Sequence, residues 1–174
     1  MEIDLQPFCS VDDYRPGLMT PWAFNGWKYA TDGRMAVRVP TDEPDDSNEP
    51  HKRPNAAAIF QGFDVTGLVS FAIPKLKGVQ EKKCPSCNGY GYSTCDHGHQ
   101  HECTDCDETG VIEEWPKADI GGNDFSERYL SKIVNLPGLL FFAQSANMEA
   151  LKPAFFAFGK NGQGLLMPIR KEKE

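Results

Sequence analysis

From Trp22 to Pro40 (WAFNGWKYATDGRMAVRVP), aromatic and β-branched residues fall into three short runs separated by Asn25-Gly26 and Asp32-Gly33. Such dipeptides accept positive φ and favour the tight turns that join antiparallel strands, so this stretch predicts three short strands. Ahead of it, Met1 to Leu5 alternates as a short strand does, and Val11 to Arg15 suits a brief helix stopped by Pro16 and Gly17. Phe60 to Ile73 is ambiguous, with a strand expected at Val69 to Ile73. Val111 to Trp115 reads as another strand. From Asp124 to Leu136 (DFSERYLSKIVNL), Phe125, Tyr129, Leu130, Ile133 and Leu136 share one face at helical spacing. Ser126 is the candidate cap and Pro137-Gly138 the stop. Three further strands follow, at Leu139 to Ala143, Ala154 to Phe158 and Gly164 to Ile169, with Asn161-Gly162 turning between the last two. Strand, helix, then antiparallel strands, given twice, is an α+β pattern.

Three stretches break this patterning. Thr41 to Pro54 (TDEPDDSNEPHKRP) has no apolar residue and reads as an exposed loop. Lys171 to Glu174 is a charged tail expected to fray. Between them, Cys84 to Gly110 (CPSCNGYGYSTCDHGHQHECTDCDETG) holds five of the six cysteines and three of the four histidines.

Composition narrows the function classes. Hydrophobic residues make up 40% of the 174 positions, which supplies a real core and excludes global disorder. Apolar runs such as Leu136 to Ala143 fall well short of the roughly 20 residues that span a bilayer, so no membrane partner is expected. MEIDLQPF carries acids and lacks the basic start of a signal peptide, which points to a cytoplasmic address. There thiols stay reduced, and clustered cysteines bind metal more often than they form disulfides. The net charge of −7 argues against the concentrated positive surface that nonspecific nucleic-acid binding needs. Lys75, Lys77, Lys82, Lys83, Arg170, Lys171 and Lys173 form local basic clusters, read as solvated flanks.

Cys84-Pro-Ser-Cys87 and Cys103-Thr-Asp-Cys106 are two CxxC pairs. A two-residue spacing lets both thiolates reach one metal while turn amides point at sulfur. Two such knuckles give a closed tetrahedral S4 site, the form typical of structural Zn2+. Disulfide or redox chemistry is the lesser reading, and a filled coordination shell argues against catalysis at the metal. Cys95, His97, His99 and His101 fall at alternate positions, so one extended strand would point all four to one side. They are the candidate ligands of a second ion, against the plainer reading of an exposed polar arm. Cys9 reads as a small buried hydrophobe.

CPSCNGYG, Cys84 to Gly91, resembles the CxxCxGxG repeat of the DnaJ-type chaperone cysteine-rich domain. The second unit, CTDCDETG, keeps the cysteines and the last glycine but carries Glu108 where the first glycine belongs. That family has four units and two zincs; two units here imply one zinc. No HPD tripeptide of a J domain occurs. Outside this segment, Tyr29 to Val39 (YATDGRMAVRV), Asp124 to Leu130 (DFSERYL) and Leu165 to Arg170 (LLMPIR) resemble segments of the bacterial DNA polymerase III sliding clamp. That resemblance implies a clamp-like domain of two β-α-β-β-β halves with antiparallel sheets. It also implies a peptide groove at Met167, Pro168, Ile169 and Arg170, although Lys171 stands where the family's terminal leucine would be.

Residues 1–81 and 113–174 are thus expected to form the two halves of a clamp-like domain, with 41–54 a loop. Residues 82–112 would be an inserted zinc-binding β-hairpin that projects as a rigid arm. The expected function is a noncatalytic, zinc-stabilised binding module for a protein partner, associated with DNA replication or repair and of phage or prophage type. Tyr90, Tyr92 and the histidines would contact a partner protein or a nucleic acid, the latter not supported by the net charge, and the chain would be a monomer or weak oligomer. The alternative is a chaperone-like peptide binder, and an enzyme with a Cys/His metal centre is the third class.

Overall fold

The computed structural model describes residues 3–11, 14–46, 53–95, 97–143 and 152–170, with the side chain of Ala56 left aside. In chain order, 3-10 turns at Gln6–Phe8 and Pro16–Leu18 precede β1 (Trp22–Phe24), β2 (Trp27–Thr31) and β3 (Met35–Pro40). Next come α1 (Ala56–Phe60), β4 (Ser70–Phe71), β5 (Gln80–Lys83), β6 (Tyr92–Thr94), β7 (Gln100–Glu102) and β8 (Val111–Glu114). The chain continues through β9 (Lys117–Ile120), β10 (Asn123–Ser126), α2 (Glu127–Ile133), β11 (Leu140–Phe142), β12 (Ala154–Phe158) and β13 (Gly162–Leu166). It is a mainly β, α+β chain with few and short helices. No helix among the described residues is long and apolar enough to cross a membrane. It divides into two compact units, residues 77–117 and the remainder.

The larger unit is built on one seven-stranded antiparallel sheet in the order β1-β2-β3-β13-β12-β11-β4. Alternation along each strand gives the sheet two apolar faces. One face carries Met35, Val37, Phe141, Phe156, Phe158 and Leu166, packed with Leu130 and Ile133 of α2 and with Phe125. Phe156 and Phe158 sit cross-strand from Gly164 and Gly162, and their rings fill the space a side chain there would need. The second face carries Trp22, Tyr29, Ala36 and Leu165 under Phe60 of α1.

All three strands expected between Trp22 and Pro40 form, and Asn25 and Gly26 take positive φ in the first turn. β12 spans Ala154–Phe158 as expected, whereas β13 starts two residues early and ends at Leu166. Of Val69 to Ile73 only Ser70–Phe71 is strand, and Val111 to Trp115 ends one residue sooner, at Glu114. The helix expected over Asp124 to Leu136 is confined to Glu127–Ile133, because residues 123–126 pair with β9 across Gly121-Gly122. Ser126 holds the cap position but makes no side-chain cap bond.

β10-α2-β11-β12-β13 runs β-α-β-β-β. The first half does not repeat it among the described residues. Ile3 to Leu5 is not strand, Met1 and Glu2 lie outside the described residues, and so do Asp12 and Asp13 of the helix expected over Val11 to Arg15. α1 was not anticipated; the Asn55 side chain caps it by accepting from the amide of Ala58 at 3.1 Å. Much of the expected loop, residues 47–52, and the tail 171–174 also fall outside the described residues.

Candidate metal centre

Residues 77–117 contain almost nothing that could serve as a hydrophobic core. Among their described residues the buried ones are Cys84, Cys87, Cys103, Cys106, Gly91 and Gly110, with Ile112 half-buried against the cysteines. The four Sγ atoms all lie within 4.8 Å of one another. Cys84 and Cys103 are 3.8 Å apart at sulfur, and Cys87 and Cys106 3.7 Å. A tetrahedron with metal–sulfur bonds of about 2.3 Å has edges of about 3.8 Å. All six cysteines are free of disulfides. The four sulfurs can therefore hold one metal ion.

The backbone explains why two short motifs converge so closely. The knuckles are related by an internal two-fold repeat. Cys84 donates from its amide to Gly110 O at 2.8 Å, and Cys103 donates to Gly91 O at 3.0 Å. Gly91 N–H donates to Cys87 Sγ at 3.2 Å, and Gly110 N–H to Cys106 Sγ at 3.3 Å. The amides of Gly89 and Glu108 close equivalent turns onto the carbonyls of Cys84 and Cys103, each at 3.1 Å. A Cβ on Gly91 would enter the carbonyl of Glu108, and one on Gly110 the carbonyl of Gly89. Each unit's last glycine is thus required by the other unit's turn. Glu108 has φ +64°, the left-handed conformation its counterpart Gly89 adopts without a Cβ penalty. The Ser86 hydroxyl donates to the Asp105 carboxylate, tying the middles of the two knuckles together.

Electrostatics divides the four thiols. Burial pushes Cys87 up, but the amides of Gly91 and Gly89 together with hydrogen bonds to Cys106 and Cys84 outweigh it and bring the thiol down to about 7. Burial pushes Cys103 up to about 12 and raises Cys106 as well. Four thiolates cannot share so small a space without a cation among them. A bound divalent metal would supply that charge, with the amides aimed at Cys87 and Cys106 sharing the rest.

Outside this cluster, β5 pairs with β8 in an exposed ladder, with Lys82 bound to Glu114. β6 pairs with β7. This second ladder corrects the expectation for Cys95, His97, His99 and His101. Their shared side required one continuous strand, but the chain reverses between Thr94 and Gln100. Cys95 accepts from the amide of Gly98 at 2.8 Å and donates from its own to His99 O at 2.9 Å. His97 lies in the turn and His101 on the returning strand. Among the described residues the only group of three or more metal-ligating side chains is Cys84, Cys87, Cys103 and Cys106.

Cys9 is buried in the larger unit, where desolvation raises its thiol to about 11. Met167, Pro168, Ile169 and Arg170 follow the end of β13 rather than forming part of it. Met167 is exposed and Pro168 buried; the amides of Met167 and Ile169 bond to Arg34 O and Asp124 O. Comparison of the chain with family models, curated proteins and solved structures found no match.

Proposed function

We propose that this protein is a noncatalytic binding module whose 77–117 unit is organised by one structural Zn2+ held by Cys84, Cys87, Cys103 and Cys106. The carrying observation is the cluster of four buried sulfurs, with two edges of 3.8 and 3.7 Å, in a unit that has no other buried side-chain cluster among its described residues. Four thiolates favour zinc or iron over harder cations. Four protein ligands complete the tetrahedron, leaving no position at which water would be activated. Asp105, a carboxylate between Cys103 and Cys106 that one would ask to act as a base, already accepts from Ser86. Elemental analysis of purified protein tests the assignment: one zinc per chain is expected, and iron or no metal would overturn it.

The larger unit presents the recognition surface of a replication or repair protein in this reading, supported by the β-α-β-β-β order of β10-α2-β11-β12-β13. Its expected partner is a protein. DNA is disfavoured as the main partner because Lys132 of α2 is paired with Asp32 at 3.7 Å and the chain is net acidic. A salt titration of duplex DNA binding checks this, with weak or no binding expected at physiological ionic strength.

A second reading, chaperone-like peptide binding, draws support from Tyr90 and Tyr92. These rings lie 6.1 Å apart and are 70% and 42% exposed. Suppression of aggregation of an unfolded test protein by the zinc-loaded chain, lost on Tyr90→Ala/Tyr92→Ala, would favour it over the first.

A further inference from the structure

The strands of the seven-stranded sheet direct one charged side chain to its second face. By the register of β1, β2, β3, β13, β12, β11 and β4, the residues directed to that face are apolar or neutral apart from Arg38. None is acidic, in a chain with 25 acidic residues against 18 basic ones. Arg38 is held unusually firmly. Its guanidinium carbon lies 4.1 Å from the centre of the Trp27 ring and 4.4 Å from that of Phe60. Its Nε donates to Gln163 Oε1 at 2.7 Å across the β3–β13 pair.

A guanidinium has five N–H donors, and this bond uses one. The two terminal nitrogens have no acceptor among the described residues. Arg53, which lies over Trp22, is a useful contrast. Its terminal nitrogens bond to the carbonyls of Gly17 and Thr20 and pair with Asp46. Arg53 is spent on the fold, whereas Arg38 is half-buried with its outer edge unused.

We infer that Arg38, clamped by Trp27, Phe60 and Gln163, is a docking site for one carboxylate of a partner protein, carried on an otherwise apolar peptide segment. Contact with two rings and the bond to Gln163 restrict the guanidinium, so less entropy is lost when a carboxylate takes the remaining donors. The surroundings select the rest of the ligand. Phe24 and Leu140 are exposed on the same face, and Trp27, Phe63 and Phe155 are half-buried there. A nucleic-acid strand would need several cations to neutralise successive phosphates; the strands offer one here, and Arg53 over Trp22 is already paired with Asp46. Charge complementarity therefore favours a peptide with a single acid between apolar side chains. The inference rests on the binding-module reading above and adds to it a place and a ligand chemistry.

The test is selection of a displayed random-octapeptide library on the zinc-loaded full chain. Enriched peptides should carry one Asp or Glu flanked by apolar residues. Arg38→Gln should weaken their binding by roughly tenfold or more, as should changing the peptide's acid to its amide. The amide peptide should bind both proteins alike, showing that the two changes remove one interaction. Should Arg38→Gln fail to fold, the acid and amide peptides compared on the unmodified protein still decide the matter. Enriched peptides without an acid, or peptides that bind Arg38→Gln undiminished, would overturn the site; the latter would leave the binding-module reading standing. Competition by single-stranded oligonucleotide that depends on Arg38 would reassign the face to nucleic acid and also overturn it. Zinc content, measured on the same samples, reports separately on the metal reading.

Discussion

The sheet unit buries the rings of Phe125, Phe141, Phe156 and Phe158 beneath Leu130 and Ile133, whereas residues 77–117 bury four cysteines and two glycines. Each large apolar side chain removed from water contributes about 1.5–3 kcal/mol, so the first unit has a conventional source of stability. The second has exposed ladders, turns and a half-buried Ile112. On the proposed reading its conformational entropy is offset by a bound metal, which in small zinc-binding peptides contributes on the order of 10–16 kcal/mol. One unit is thus specified by the amount and shape of its apolar material, the other by the positions of a few atoms. Mutations should discriminate between them accordingly.

The largest difference is expected from Cys103→Ser. Three sulfurs and a hydroxyl bind zinc far more weakly, so the protein should lose its metal and the amide dispersion of 77–117. The thermal transition of the sheet unit should stay within a few degrees of the original. Phe156→Ala is the opposite experiment. It empties a site between Phe141 and Phe158 and should cost about 3–5 kcal/mol in denaturant unfolding of the sheet unit. Zinc stoichiometry should not change.

Gly91→Ala sharpens the contrast, because it adds one methyl group and touches no sulfur. The residue has φ +78° and faces the carbonyl of Glu108, so the change should cost about 2 kcal/mol or more. Chelator competition would read this as weaker metal retention. Glu108→Gly is the smallest and runs the other way. Removing the Cβ from a left-handed position should strengthen metal retention by about 1 kcal/mol. A loss instead would mean that the glutamate side chain has a role its backbone conformation does not reveal.

The two units also differed in how far the sequence disclosed them. Cysteine spacing carried the cluster of four sulfurs, since two CxxC pairs leave few other ways to satisfy four thiols. It did not disclose the reciprocal packing of Gly91 and Gly110, which depends on carbonyls contributed by the opposite knuckle. The turn at Cys95–His99 was missed because alternation was followed through residues that reverse direction, although Gly98 marked the reversal with φ +79°. In the sheet unit, Asn-Gly and Asp-Gly pairs gave β1 to β3 directly. The β9–β10 pairing took residues from the start of the expected helix, an outcome settled by tertiary partners rather than by the 3.6-residue period. Asn55 before three alanines was a legible start for α1 that the apolar pattern overshadowed. The setting of Arg38 was not legible, because it joins Trp27, Phe60 and Gln163 from three separate segments.

Amide hydrogen exchange of the full chain before and after treatment with a zinc chelator is the most direct test of this division. Protection in 77–117 should vanish with the metal and return when zinc is restored, while β2, β3, β12 and β13 keep theirs throughout. Persistence of protection around Cys84–Gly110 without metal, or its simultaneous loss from both units, would contradict a metal-organised unit beside a self-sufficient sheet.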